Sequence, residues 1–324
     1  MKNLRIVFMG TPEFAVATLG SLLINGFNVV GVITVPDKPS GRGRKITKSA
    51  VKMFAESSCL PVFQPENLRD EDFINDLKQL DGDIFIVVAF RMLPEVIWRM
   101  PPMGTVNLHA SLLPQYRGAA PINHVLINGE TKTGITTFFI DSNIDTGNIL
   151  MRKEVLISQD ENAGELHDRL MKLGARLVIE TIKGIADNAI TPVQQSLYMK
   201  PGEKPKQAPK IHPQDCIINW DKHCYEINNL VRGLAPSPGA KSYLTDGVSI
   251  LSFKIFESQA NSEEHNFQAG KIFTDGKQFL KIACGKGFLK IDSLQLEGKR
   301  KMNTGDFLRG FSLSGFNIVT NQQV

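Results

Sequence analysis

The chain has 324 residues, of which 42% are hydrophobic and 22% are charged, and its formal net charge is +4. These values are typical of a globular protein with about two domains, and they exclude a wholly disordered chain, a collagen-like repeat and a small disulfide scaffold. The mild positive charge permits an acidic partner without requiring one. We find neither a signal-peptide core nor about 18 uninterrupted apolar residues, so we expect a cytoplasmic protein with no membrane span.

The first half of the chain has the pattern of alternating strands and helices. Residues 4–9 form a short apolar run typical of a buried strand, and residues 11–13 (Thr-Pro-Glu) resemble a helix start with the threonine as cap. Residues 28–35 predict the next strand, so the segment is a βαβ unit, which implies a parallel sheet. Further strands are predicted at 84–89, 104–109 and 134–140, and a helix at 161–187. Residues 1–190 are therefore expected to form one doubly wound, mostly parallel α/β domain.

The second half has a different composition. Residues 191–208 are rich in proline and lysine and have few apolar residues, which indicates a linker. Short β-like runs separated by glycine turns follow a predicted helix at 221–234, and they lie at 248–255, 269–273, 278–283 and 287–295. Residues 209–324 are therefore expected to form a smaller all-β barrel that resembles an oligonucleotide-binding (OB) fold. We expect Trp220 and Tyr225 to lie in its core.

Three polar residues in this sequence have the types needed for acyl-type transfer to an amine. Asn107 and His109 are two positions apart on a predicted strand, so they project from the same face at its carboxyl end. Asp145 lies in an Asp-rich turn further along the chain. An amide can hold a carbonyl oxygen, an imidazole can stabilise an oxyanion or move a proton, and a carboxylate can orient the imidazole and help deprotonate an amine. On these residues alone, purely structural roles in loops and turns stay open.

The segments around these residues resemble a known enzyme family. The runs 107–114 (NLHASLLP), 116–118 (YRG) and 144–147 (IDTG) are similar to the signature of the 10-formyltetrahydrofolate-dependent formyltransferases. The resemblance implies a Rossmann-like formyltransferase domain in which Asn107, His109 and Asp145 are catalytic, with 10-formyltetrahydrofolate as the formyl donor and no metal. The folate-binding residues that it implies are Ser111, Leu112, Leu113 and Pro114.

The resemblance extends into the second domain and implies a nucleic-acid partner. Residues 36–52 carry six basic residues against one acid, a composition that by itself usually indicates a solvated loop. The resemblance makes Arg42, Arg44 and Lys45 candidates for binding tRNA phosphates. The implied acceptor is the α-amine of a methionine esterified to initiator tRNA, and we expect the enzyme to act as a monomer.

One departure and two alternatives accompany this interpretation. Arg91 stands where the family more often has glycine, so we expect the loop around Arg91 and Met92, which borders the pterin in relatives, to be rearranged. A formyltransferase for another amine, such as a nucleotide-linked amino sugar or glycinamide ribonucleotide, would share the Asn/His/Asp set without needing the basic loop. A catalytically silent RNA-binding module would bind RNA without transferring a formyl group, and the intact motifs argue against it.

Overall fold

The structure is a computed structural model, and it describes residues 4–40 and 45–319. The chain forms two compact units, each of which is described by itself. Unit 1 contains the chain up to Ala119, Lys132–Val155 and His167–Gln207, and unit 2 contains Ala120–Thr131, Leu156–Leu166 and the chain from Ala208 onward. The two units are therefore interleaved along the sequence, whereas the composition suggested consecutive domains separated at 191–208.

Unit 1 is built on a seven-stranded sheet. Its strands are β1 (Arg5–Gly10), β2 (Asn28–Ile33), β5 (Val62–Phe63), β6 (Ile84–Val88), β7 (Thr105–His109), β8 (Lys132–Phe139) and β9 (Ile149–Leu156), and a separate hairpin contains β3 (Lys38–Ser40) and β4 (Lys45–Thr47). The sheet order is β5-β2-β1-β6-β7-β8-β9. The first five of these strands pair in parallel and β8 pairs antiparallel with β7, which confirms the mostly parallel α/β sheet.

Helices connect and cover these strands. They are α1 (Glu13–Ile24), α2 (Ala50–Ser57), α3 (Glu71–Gln79), α4 (Glu95–Trp98) and α6 (Ala163–Ala186), while α5 (Pro121–Ile127) belongs to unit 2. The helix start predicted at residues 11–13, with Thr11 as the cap, lies one residue further along. Pro12 is the N-cap residue of α1, has an extended backbone and makes no side-chain capping bond. Thr11 is therefore not the cap. None of the helices that the structure describes is long and apolar enough to cross a bilayer.

The central strands were predictable because they are buried on both faces. Every residue of β6 is buried, and such strands read as continuous apolar runs in parallel sheets. One of the hydrophobic clusters on the sheet joins strand residues such as Val87 to helix residues such as Phe73 and Leu77. This packing supports β1 and β6, and β7, whose carboxyl end carries two of the candidate site residues, pairs with β6.

Unit 2 contains a nearly closed antiparallel barrel, which confirms the second part of the predicted fold class. Its strands are β10 (Ala240–Thr245), β11 (Ile250–Asn261), β12 (Ile272–Thr274), β13 (Leu280–Ala283), β14 (Phe288–Leu296), β15 (Met302–Asn303) and β16 (Asn317–Ile318), and its other helices are α7 (Cys224–Leu234) and α8 (Thr304–Gly310). Ile272 of β12 and Ile318 of β16 line the same apolar interior although their strands are at opposite ends of the sheet order. The sheet therefore curls almost onto itself.

The two aromatic residues expected in this core behave differently. Trp220 is only 1% exposed, and its Nε1 donates a hydrogen bond to the buried Ser242 hydroxyl at 2.9 Å. Tyr225 is 50% exposed and stacks on His223, with ring centroids 5.4 Å apart. The core prediction is correct for Trp220 and wrong for Tyr225, because Tyr225 lies in the first turn of α7 on a surface-facing position.

Candidate active site

The candidate site lies at the carboxyl ends of the parallel strands in unit 1. The strand order reverses between β1 and β6, since β2 and β5 lie on one side of β1 while β6 and β7 lie on the other. Open α/β sheets bind ligands in the crevice at such a point. Gly10 ends β1 here, and a Cβ atom at Gly10 would lie 2.7 Å from Ala15 Cβ and 3.1 Å from the Val88 carbonyl oxygen. Glycine thus allows the close packing of β1 at this edge.

β7 carries Asn107 and His109 to this edge from the same face of the strand. His109 is 7% exposed, and its Nε2 lies 2.8 Å from the carbonyl oxygen of Tyr116. A carbonyl oxygen only accepts hydrogen bonds, so Nε2 holds the proton and Nδ1 is the nitrogen left for chemistry. The Asn107 amide makes no hydrogen bond to residues 4–40 or 45–319, which leaves it available to a ligand.

The turn between β8 and β9 brings Asp145 to His109. Asp145 Oδ2 lies 3.6 Å from His109 Nδ1 and accepts a 2.9 Å hydrogen bond from the backbone N–H of Gly118. The carboxylate side chain is 12% exposed, and Asp145 has a φ of 55°, a left-handed conformation that aspartate tolerates better than most residues. The structure therefore brings together the three residues that the sequence singled out as catalytic.

Close backbone packing fixes the position of this turn. A Cβ atom at Gly147 would lie 1.7 Å from the carbonyl oxygen of Phe139, so only glycine fits there. Asp141 Oδ1 also accepts hydrogen bonds from the Asn143 backbone N–H at 3.0 Å and from the Thr146 hydroxyl at 2.6 Å. The Asp-rich turn is thus an Asx turn whose first carboxylate organises the backbone. Its second carboxylate, on Asp145, faces His109.

The residues predicted to bind folate form the loop that follows β7. Ser111, Leu113 and Pro114 are buried, and Leu112 is half-buried with its side chain packed over Gly134. The Ser111 hydroxyl donates to the Gln115 carbonyl oxygen at 2.6 Å, and the Leu113 backbone N–H donates to the Thr136 hydroxyl at 3.1 Å. Most of these side chains are therefore used inside the protein. Folate binding by this loop stays a prediction, and it would rely on the backbone and on Leu112.

The loop after β6 contains Arg91, the residue that we expected to rearrange it. The Arg91 guanidinium donates to the carbonyl oxygens of Glu66 at 3.0 Å and Pro65 at 2.8 Å. Partial burial lowers the pKa of the Arg91 guanidinium. Ala89 in the same loop has a φ of 47°. Arg91 thus braces this loop against the segment after β5, an anchor that a glycine could not provide.

The basic segment contains regular structure in its described residues, 36–40 and 45–52. β3 and β4 form an antiparallel hairpin, with Lys45 placed by its backbone in β4. Arg42 and Arg44 lie outside the described residues. Lys52 pairs with Asp37 at 2.7 Å and Lys48 pairs with Glu56 at 2.7 Å, and the Lys52 hydrogen bond lowers the pKa of Asp37. Lys48 and Lys52 are therefore engaged within the protein.

Sequence reasoning missed a residue that contacts this site from the predicted linker. Gln195 begins a short 3-10 helix (Gln195–Tyr198) and is only 4% exposed. Its carboxamide contacts Arg117 and the backbone of the Asp145 turn. The neighbouring Gln194 is exposed, so no sequence signal distinguishes the two glutamines.

Further contacts attach the predicted linker to unit 1 near Lys206. The backbone N–H of Tyr116 donates to the Lys206 carbonyl oxygen, and the Lys206 backbone N–H donates to Gln115 Oε1 at 2.8 Å. Gln115 Nε2 in turn donates to Glu203 at 2.7 Å. Segment 191–208 is therefore irregular and mostly exposed, as its composition suggests, but contacts at Gln195, Glu203 and Lys206 attach it to unit 1.

These features define an α/β protein whose ligand crevice holds an amide, an imidazole and a carboxylate suited to chemistry at a carbonyl group. A family model described as formyl transferase matches residues 4–182, and one described as the formyl transferase C-terminal domain matches residues 210–312. The chain belongs to the formyltransferase family. This confirms the resemblance seen in the sequence.

Near-full-length relatives narrow the comparison further. The chain is 52% identical to a methionyl-tRNA formyltransferase of Flavobacterium johnsoniae, covering 97% of this chain and 98% of that protein. It is 50% identical to the methionyl-tRNA formyltransferase of Bacteroides thetaiotaomicron, covering 97% of each. A crystal structure of a sugar 3N-formyl transferase, in the presence of dTDP and 5-N-formyl-THF, has a TM-score of 0.63 at 22% identity and covers 93% of this chain and all of that one. That last similarity concerns the fold.

Proposed function

We propose that this formyltransferase moves the formyl group of 10-formyltetrahydrofolate to the α-amine of methionyl-initiator tRNA. The observation that carries the chemistry is the Asp145 carboxylate 3.6 Å from His109 Nδ1, with Asn107 two residues before His109 on the same strand. The near-full-length similarity to methionyl-tRNA formyltransferases supports the acceptor. A cytoplasmic monomer is part of the same proposal.

In this proposal each of the three residues has a separate step. The amine attacks the formyl carbon and forms the new C–N bond, and the Asn107 amide donates to the oxygen that becomes negative. His109 Nδ1 takes the proton that the amine loses, because Nε2 is already protonated toward Tyr116. Asp145, 3.6 Å from Nδ1, stabilises the resulting imidazolium. As the bond between the formyl carbon and N10 of the folate breaks, Nδ1 returns its proton to N10.

This sequence of steps needs no covalent enzyme intermediate, since the acceptor brings its own nucleophile. A free α-amine has a pKa of about 7.7–8.0, so a useful fraction is neutral near pH 7. The formyl donor enters at the loop after β7, where we expect the backbone around Leu112 and the braced loop at Arg91 to form the pterin site.

The proposed contacts with the acceptor tRNA involve the basic segment at residues 36–52. Lys48 and Lys52 are paired with acids, so we expect the phosphate contacts of segment 36–52 to come from its other four basic residues, Lys38, Arg42, Arg44 and Lys45. Four contacts predict a slope of roughly −3 to −4 in a plot of log affinity against log salt concentration. Replacing Arg42, Arg44 and Lys45 together should flatten that slope and raise the KM for tRNA, with little effect on folate binding.

The test is a formyl-transfer assay with 10-formyltetrahydrofolate and methionyl-initiator tRNA, run beside uncharged tRNA, free methionine and a nucleotide-linked amino sugar. Formylation of the charged tRNA alone is the expected result, and transfer to the sugar in preference would overturn the acceptor. His109→Ala should lower kcat by roughly 10²–10⁴-fold. His167→Ala is the matched control, because His167 pairs with the exposed Asp168 and makes no contact with Asp145.

A further inference from the structure

The Gln195 carboxamide uses its complete hydrogen-bonding capacity at the candidate site. Its Oε1 accepts from Arg117 Nε at 3.1 Å and from Arg117 Nη2 at 2.7 Å. Its Nε2 donates to the carbonyl oxygens of Asp145 and Gly147, both at 2.9 Å. A carboxamide has two acceptor lone pairs and two N–H donors, so none is left over. Turning the amide over would place oxygen against two carbonyls, so the contacts themselves assign its orientation.

Gln195 joins two segments that also meet through the catalytic carboxylate. Arg117 precedes Gly118, whose backbone N–H donates to Asp145 Oδ2. Gln195 holds Arg117 with one end and the backbone of Asp145 with the other. The left-handed backbone of Asp145, with a φ of 55°, is the conformation that these contacts fix. We propose that Gln195 is a positioning residue, which sets the distance between the Asp145 carboxylate and His109 by holding the Asp145–Gly147 turn against Arg117.

This inference rests on the proposed function, and it assigns a role to a segment whose composition suggests only a linker. Gln195 contacts neither His109 nor any reacting atom, so it acts through Asp145. A buried amide with every partner satisfied makes a rigid junction, and loss of one partner leaves the other polar groups buried without compensation. The reaction should therefore depend on Gln195 through kcat and much less through the KM for either substrate.

Two substitutions of Gln195 distinguish the contacts of its Oε1 with Arg117 from the contacts of its Nε2 with the Asp145 turn. Gln195→Met has a similar shape and removes all of its hydrogen bonds. Gln195→Glu still accepts from Arg117 but sets a carboxylate oxygen against the carbonyls of Asp145 and Gly147. Tyr198→Leu is the matched control, because it removes the other anchor of the same 3-10 helix, the Tyr198 ring 4.3 Å from the Arg152 guanidinium, without touching the Asp145 turn.

We expect both Gln195 variants to lose kcat by on the order of 10²-fold, the usual effect of misplacing a catalytic group by about 1 Å. Their KM values should change only a few-fold, and Tyr198→Leu should keep kcat close to that of the unaltered enzyme. An unchanged kcat in Gln195→Met would overturn the proposal. If Gln195→Glu alone kept a normal kcat, the Gln195 amide would act on Arg117 and not on the Asp145 turn. An equal loss of kcat in Tyr198→Leu would mean that Gln195 only helps to attach the 3-10 helix, which would contradict the proposal.

A second measurement keeps the inference testable even if the formyl-transfer assay fails for the unaltered protein. The Gly118 amide donates to Asp145 Oδ2, so its hydrogen exchange reports directly on the carboxylate position. Exchange at Gly118 should accelerate in both Gln195 variants and not in Tyr198→Leu. Exchange as slow as in the unaltered protein would contradict the positioning role, whereas inactivity of the unaltered protein would contradict only the proposed function.

Discussion

Replacing Gly147 with alanine should displace the Asp145 turn by a distance that the structure defines. The new Cβ atom would lie 1.7 Å from the Phe139 carbonyl oxygen, while ordinary contact begins at 3.4 Å, so the backbone must move by the difference, 3.4 − 1.7 = 1.7 Å. Asp145 is two residues away and lies 3.6 Å from His109. A misplacement of about 1 Å costs on the order of 10²-fold in rate, so we expect kcat to fall by at least about that factor.

The assay for this prediction is the formyl-transfer rate at saturating substrates, with the melting temperature measured in parallel. Gly310→Ala is the matched control, because among the described residues no atom beyond its chain neighbours and its own helix backbone lies within 4 Å of a Cβ there, and it should leave kcat unchanged. If Gly147→Ala does not fold, Asp141→Ala loosens the same turn without a clash and should lower kcat in the same direction. A folded Gly147→Ala variant with unaltered kcat would refute the argument that the turn positions Asp145.

Three further predictions concern burial. In the native protein a thiol reagent should label Cys59, which is exposed. Burial raises the pKa of the Cys284 thiol to about 12, so Cys284 should stay unlabelled until the protein unfolds. Fast labelling of Cys284 in the native protein would contradict this prediction. Ser242→Ala leaves the Trp220 N–H buried without a partner and should cost about 1–3 kcal/mol in denaturant unfolding, whereas no change would mean that water replaces the hydroxyl. Leu77 is 1% exposed, so Leu77→Ala leaves a cavity in the core and should lower the free energy of unfolding by about 2–5 kcal/mol in the same measurement. A smaller loss would mean that neighbouring side chains move to fill the cavity.

Short strands and long amphipathic helices were predictable because their signals are local. β1, β2 and β6 are mainly apolar runs, and the helix predicted at 161–187 corresponds to α6 at Ala163–Ala186. Elements such as β5, with two residues, and β9, with a mixed burial pattern, have no such signal. They exist because the neighbouring strands supply hydrogen-bond partners. The same reason explains β10, which pairs with β11 on one side and β16 on the other.

The sequence by itself determined which side chains could do the chemistry. Asn107 and His109 share a face because they are two residues apart on one strand, and the family motif added Asp145. Only the tertiary structure decided that Nδ1 of His109 faces Asp145, because Nε2 is engaged by the backbone carbonyl of Tyr116. Every residue has such a carbonyl, so residue type does not reveal which one binds the imidazole.

The role of the predicted linker was also decided only by the fold. A proline- and lysine-rich composition describes how little apolar surface a segment can bury, and it does not describe where the segment's polar groups find partners. Gln195 is buried because Arg117 and two carbonyls of the Asp145 turn converge on its carboxamide. Those partners lie far from Gln195 in the sequence, so only the folded chain brings them within hydrogen-bonding distance.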